Sequence, residues 1–426
     1  KKNKVLLMFI IKYGMFYIEE RLNIRSDLMA RLSREQLNKL KKQYGVDVIY
    51  SFSRYNAYKT DRYSYMLNYI KHIPSNVKES IYGKQGTGCH EIIQDFMEGK
   101  IKYEEMINRY DDLLFELDSD GYKYSKNDKD MNENISRKYE ESVRHFFMNY
   151  QPLPYKWLIE KFILINVRGK IFQGYIDCIT KLEDGTYLIE DIKTSSIYTG
   201  EKKLKESAQL FLYALGITQK FNVPLDKVKC RWNFLKYVEV VSDLKGKNKD
   251  GTHKTKSKNC IRCEWVKESS GNIKKWIQAE GYDELEVEDI LQTCIEKNSL
   301  EDYPNIAKHF KLNDCYVYID LSQENLDNLC DEIEETINKI EKDTAITKQY
   351  LERINSSKNK DEVKRLEKMI DELWWVDINQ KDMYYYYNLC GYDRRIHKPL
   401  DEYYKDCEMF MKNNEDSDSE NEFDWN

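Results

Sequence analysis

The stretch YLIEDIKTSSIYTG, Tyr187 to Gly200, decides how the chain reads. Two acids, Glu190 and Asp191, sit side by side in an otherwise apolar, strand-like run, and Lys193 follows two residues after the second. Charges in such a run are costly unless they are paired or bind something. Side chains on a strand alternate faces with period two, so Ile189, Asp191 and Lys193 share one face while Glu190 and Ile192 point to the other. Lys193 therefore cooperates with Asp191, and Glu190 is left without an assigned partner.

Upstream, EKFILINVRGKIFQGYIDCITKLEDGTYLIEDIKTS alternates or runs apolar in short segments rich in Ile, Phe and Tyr. Turn signals at Arg168-Gly169-Lys170 and Glu183-Asp184-Gly185 divide it into three strands of an antiparallel meander. Asp177, in GYID, lies fourteen residues before Asp191 across the Asp184-Gly185 turn, and such a hairpin brings the two together. Two carboxylates and a lysine at a sheet end form a hard-oxygen site suited to Mg²⁺ or Mn²⁺. An ion there polarises a phosphate and lowers the pKa of water, and the lysine orients that water or neutralises developing charge. This is phosphodiester hydrolysis chemistry. The alternative is a structural salt bridge of Asp177 and Asp191 with Lys193.

Beyond the meander, EKKLKESAQLFLYALGITQ reads as a helix and, after the break at Pro224, KVKCRWNFLKYVEVV as another strand. Residues 16–150 are mainly helical. DLMARLSREQLNKLKKQYG, TDRYSYMLNYIKHI, GCHEIIQDFMEG and RKYEESVRHFFMNY carry apolar residues at three and four spacing. Three strands, a helix and a strand inside a helical shell imply an α/β fold with a mixed sheet flanked by helices. Next, KGKNKDGTHKTKSK reads as a basic, Gly-containing loop, followed by helices around 271–298 and a further strand in DCYVYIDLS. Leu326, Leu329, Ile333, Ile337 and Ile340 form one helix stripe, and KDEVKRLEKMIDELWW supplies a second. They predict a C-terminal helical hairpin turning at RINSSKNK, with core packing as its first role and partner binding as the alternative. The divisions are 1–150, 151–240, 241–320, 321–412 and an acidic, disordered tail at 413–426.

The ordered set of motifs resembles the PD-(D/E)XK nuclease superfamily, in particular its RecB-like and CRISPR-adaptation-type exonucleases. The matching elements are GYID with Asp177, DIKTS with Asp191 and Lys193, and QLFLY with Gln209 and Tyr213. GTGCHEII matches the helix that carries a metal-binding histidine, and SFSRYNAYKTDRYSY matches an S-x-S opening segment. The match spans roughly residues 50–240. It implies a restriction-endonuclease-like core in which His90, Asp177, Asp191 and the Ile192 carbonyl hold the ion. It gives Lys193 the water and makes Gln209 a support for the lysine or the DNA backbone. An imidazole ligand tilts the preference toward Mn²⁺. Taken without the resemblance, His90 with Ile93 and Met97 reads as a core histidine. Gln209 and Tyr213, one turn apart, read as packing. Glu160 reads as a surface strand acid, with support of the site as the alternative.

Many such relatives hold an iron-sulfur cluster on one cysteine near the amino-terminal segment and three near the carboxyl end. Here Asp61 stands at the first position, and Tyr387 and His397 accompany Cys390, so the cluster is expected to be absent. Cys260 and Cys263 form a lone C-x-x-C, read as free cysteines rather than zinc ligands. GKQGTG lacks a following Gly-Lys-Ser/Thr and is no phosphate loop.

The chain of 426 residues has a net charge of -6, which argues against a blanket polyanion binder, but its charge is uneven. Lys245, Lys247, Lys249, Lys254, Lys256 and Lys258 concentrate in the basic segment, where they either grip DNA phosphates or form a solvated loop. The 34 tyrosines offer stacking surfaces for single strands. No run approaches the eighteen or so apolar residues of a membrane span. The opening KKNKVLLMFIIKYG is interrupted by Lys12 and lacks a cleavage pattern. Ten cysteines without regular spacing fit a reducing cytoplasm. Heavy use of Lys, Asn, Ile and Tyr suits an AT-rich genome such as a phage's, placing the protein in a bacterial host. The expectation is a metal-dependent DNA exonuclease of replication, recombination or repair, with DNA and a replication or recombination protein as partners. The competing readings are an endonuclease of the same fold and a non-catalytic DNA-binding or assembly subunit.

Overall fold

The computed structural model describes residues 32–72, 79–125 and 128–374. The opening segment, the acidic tail and Tyr387, Cys390 and His397 lie outside the described residues. The first helix, α1 (Arg34–Tyr44), starts on a Ser33–Gln36 capping box and stops at Gly45, whose φ of 64° is the left-handed geometry glycine tolerates. The short β1 (Tyr50–Ser51) leads into α2 (Phe52–Thr60) and α3 (Arg62–Tyr69). Ser51 caps α2 through the Arg54 amide and Asp61 caps α3 through the Tyr63 amide. The S-x-S opening and the Asp61 position thus both act as helix starts.

Three longer helices follow, α4 (Ile81–Met97), α5 (Tyr103–Ser119) and α6 (Lys129–Asn149). The GKQGTG stretch lies inside α4, and its last glycine has a packing role. A Cβ on Gly88 would collide with the Leu113 side chain of α5.

The meander is β2 (Leu158–Val167), β3 (Lys170–Lys181) and β4 (Tyr187–Lys193), antiparallel at both steps. The crossover helix α7 (Gly200–Phe221) returns the chain to β5 (Val228–Lys247), parallel to β4. β5 then pairs antiparallel with β6 (His253–Ile261) and, after α8 (Ser270–Ala279) and α9 (Glu284–Lys297), with β7 (Phe310–Tyr318). With β1 parallel to β3, these seven strands make one mixed sheet. The α10 (Gln323–Ser356) and α11 (Lys360–Leu373) hairpin closes the described chain.

One core joins Phe172, Ile189, Trp232 and Phe234 of the sheet to α7, to tyrosines of α2 and α3, and to Ile333, Ile337 and Ile340 of α10. The hairpin is therefore core packing, each buried isoleucine contributing about 1.5–3 kcal/mol. A second core packs α4, α5 and α6 on Cys178, Ile192 and Leu235, and a third gathers α8 and α9 on Val238 and Val240. Helices thus flank a central mixed sheet. Among the described residues, no helix is long and apolar enough to cross a membrane.

The Lys245–Lys258 segment is not a loop but the distal part of the β5–β6 hairpin, turning at Asn248–Thr252. Thr, Ser and Asn alternate with the lysines, and the distal residues of both strands lack a buried face. Polar composition there marks an edge strand, and lysines on an edge discourage further pairing.

Candidate metal-dependent active site

The site forms where β3 and β4 stop pairing. Their register runs from Lys181↔Tyr187 to Cys178↔Glu190, while β4 continues to Lys193 against β5 alone. The backbone of Ile192 is then served by side chains. Its N–H donates to Asp177 Oδ2 at 2.9 Å, and its carbonyl lies 2.9 Å from His90 Nε2. A carbonyl only accepts, so Nε2 is the donor, and in the neutral ring Nδ1 carries the lone pair. That atom is 3.6 Å from Asp177 Oδ2. His90 reaches the sheet because α4 approaches closely, a Cβ on Gly86 lying 3.4 Å from Thr194 Oγ1.

Asp191 and Lys193 form an ion pair at 2.8 Å, with Asp191 buried and Lys193 25% exposed. Burial pushes the Asp191 carboxyl up to about 6, against the attraction of Lys193. Burial opposes the Lys193 ammonium, but Asp191 and Asp177 outweigh it and raise its pKa.

Glu190 is the acid with no assigned partner in the sequence, and it has a different one. It faces Arg231 in the β4–β5 register and accepts from Arg231 Nε at 2.7 Å and from Asn233 Nδ2 at 3.1 Å. Arg231 is itself buried, lies 3.6 Å from the Tyr316 ring centroid and donates to the Tyr318 hydroxyl. Burial raises the Glu190 pKa against the pull of Arg231. The two adjacent acids thus divide into one at the open strand end and one in a structural ion pair.

Glu160 is the residue whose geometry the sequence did not disclose. The β2–β3 register pairs Ile159↔Cys178 and Lys161↔Ile176 and omits Glu160 between them. Its φ is 46°, a left-handed conformation that costs a non-glycine residue on the order of 1 kcal/mol. His90, Glu160 and Asp177 each offer a donor atom, and the three atoms lie within 4.8 Å of one another. One imidazole and hard carboxylates at that spacing fit a divalent ion such as Mg²⁺ or Mn²⁺.

Gln209 Nε2 donates to the Tyr213 hydroxyl at 2.8 Å, and the Tyr213 ring occupies the space a side chain at Gly174 would fill. Burial raises the Tyr213 pKa, keeping it a neutral packing group. The six lysines are not gathered at this site. Lys245 lies over the Trp276 ring at 3.5 Å and Lys258 pairs with Glu268, while Lys254 and Lys256 are exposed. Cys260 is buried, Cys263 half-buried, and both are free.

A family description, the PD-(D/E)XK nuclease superfamily, matches residues 49–383, more than three-quarters of the chain and every described element from β1 onward. No curated protein matches.

Proposed function

We propose, because this chain belongs to the PD-(D/E)XK nuclease superfamily, that it is a metal-dependent DNA exonuclease acting in replication, recombination or repair. The observation that carries the reading is the convergence of Asp177, Asp191, Lys193 and His90 around the last turn-free residues of β4. Asp177, Asp191, His90 and the Ile192 carbonyl would hold Mg²⁺ or Mn²⁺, the carbonyl oxygen keeping a lone pair beyond the one His90 engages. A bound divalent ion supplies Lewis-acid charge against the phosphodiester and makes water more acidic.

The chain's own groups do the rest. Lys193, held charged and aimed by Asp191, orients the attacking water in line with phosphorus and offsets the charge that develops there. Gln209 and Tyr213 brace β3 beside Gly174, fixing Asp177 three residues on. The β5–β6 hairpin carries its lysines away from the site, up to about 40 Å from Phe234 to Lys247 at ~3.3 Å per residue. That length matches about twelve base pairs of duplex at ~3.4 Å each, so the hairpin serves as a phosphate grip remote from the scissile bond.

The exonuclease choice rests on the RecB-like character of GYID, DIKTS and QLFLY. End-labelled linear DNA and closed circular DNA, each with Mn²⁺ or Mg²⁺, test it. Linear DNA is degraded from its ends and circles survive. Cutting of circles would make it an endonuclease, and intact linear DNA would leave a non-catalytic DNA-binding protein.

A further inference from the structure

We propose that residues 416–424 of this chain dock along the lysine face of β6 and compete there with DNA. The competition rests on the phosphate grip assigned above to the hairpin, whereas the contact does not. β6 is the last strand in the sheet order, so its outer edge has no strand beside it among the described residues. Lys254, Lys256 and Lys258 sit at alternate positions of β6 and share one face. Every residue from Lys254 to Asn259 is exposed. Lys258 pairs with Glu268, but Lys254 and Lys256 have no ion pair among the described residues.

The proposed occupant lies outside the described residues, and its sequence carries the complement of that face. Asp416, Asp418, Glu420, Glu422 and Asp424 occupy every second position. In an extended backbone such residues share one face at intervals of ~6.7 Å, which is also the interval of the β6 lysines. An extended segment can add to an exposed sheet edge through its main chain, with alternate side chains giving the specificity. Lysines on an edge turn away ordinary strands, but a strand with an acid at every second position neutralises them. About forty residues separate Trp374, where the described chain closes, from Asp416. At up to ~3.3–3.6 Å each they can span more than ~100 Å, so β6 is within reach. Duplex DNA carries one charge per ~1.7 Å against one per ~6.7 Å on such a strand. DNA therefore displaces the acids, while sparser polyanions do not.

Carbodiimide cross-linking of the full chain, which joins lysine amines to carboxylates in direct contact, tests this with peptide mass spectrometry to locate the bonds. At low salt Lys254 and Lys256 should cross-link to acids within 416–424, and duplex DNA should suppress the bonds. Mixing isotope-labelled with unlabelled chains should give no mixed pairs, because the contact is within one chain. Changing the five acids to their amides should raise DNA affinity about fivefold or more at low salt. In a Lys254→Ser, Lys256→Ser background the same change should matter less than about twofold. Absence of the cross-links, or cross-links only between chains, overturns the inference and leaves the nuclease reading standing. An equal gain in both lysine backgrounds also overturns it, since the acids would then act by general repulsion of DNA. DNA bound by none of the four proteins would overturn the competition together with the hairpin grip, the cross-links then deciding the contact alone.

Discussion

Tyr213 and Gly174 are so close that a Cβ at position 174 would stand 2.5 Å from Tyr213 Cε1. The contact ties the crossover helix to β3 three residues before Asp177. Gly174→Ala should overpack it, costing about 1–3 kcal/mol in urea denaturation. Because β3 must shift, Asp177 moves with it, and single-turnover cleavage should fall at least tenfold. In a Tyr213→Ala background the same alanine should cost much less, and equal costs in both backgrounds would refute the coupling.

Glu190 and Asp191 should respond oppositely to neutralisation. Glu190→Gln leaves the buried Arg231 guanidinium without its carboxylate, which should destabilise the fold by about 3–5 kcal/mol while Mn²⁺ affinity stays within twofold. Asp191→Asn should lose ion uptake with a smaller change in stability. Replacing both members of the Glu190–Arg231 pair with Leu and Met should recover much of the loss. Chemical denaturation and calorimetric Mn²⁺ titration of the four proteins separate these outcomes.

The pH dependence follows from Asp191, whose carboxyl is pushed from 3.8 up to about 6, chiefly by burial. Between those values the folded, metal-free chain keeps a proton that the unfolded chain has released. Its contribution to stability is therefore fully present below about pH 4 and is lost as pH rises through about 6. Thermal melts from pH 4 to 7 should show this fall in wild type and a flatter curve in Asp191→Asn. Mn²⁺ uptake should strengthen over the same window, since the ion displaces that proton. Identical slopes in the two proteins would contradict the assignment.

The lysine hairpin should set affinity rather than chemistry. Replacing Lys249, Lys254 and Lys256 with serine should reduce the slope of log K against log salt by about 2 to 3, at ~0.7–0.9 per phosphate contact. Fluorescence anisotropy of labelled DNA across a salt series reads the slope directly. An unchanged slope would make the hairpin a solvated arm.

The strand alternation that placed Asp191 with Lys193 was legible because period two needs only neighbouring residues. The same rule left Glu190 unexplained, since Arg231 lies 41 residues downstream, beyond a crossover helix, and parallel pairing leaves no local mark on sequence. Glu160 reads as a surface acid because alternation assumes an unbroken strand, and a glutamate carries no signal of the positive φ it adopts there. The β5–β6 arm reads as a loop because an edge hairpin without a core face loses the apolar alternation by which strands are recognised. The helix of Tyr103–Ser119 carries its apolar stripe in Met106, Tyr110 and Leu117, diluted by the many charges around it.

The most direct test of the proposed chemistry is single-turnover hydrolysis of end-labelled linear DNA by wild type and by Lys193→Ala, both saturated with Mn²⁺. Wild type should degrade the DNA and stop on chelation, while Lys193→Ala should still bind the ion but cleave at least ~10²-fold more slowly. DNA left intact by the wild type, or cleaved equally fast by both proteins, would contradict the assignment of Lys193 and Asp191 to phosphodiester hydrolysis.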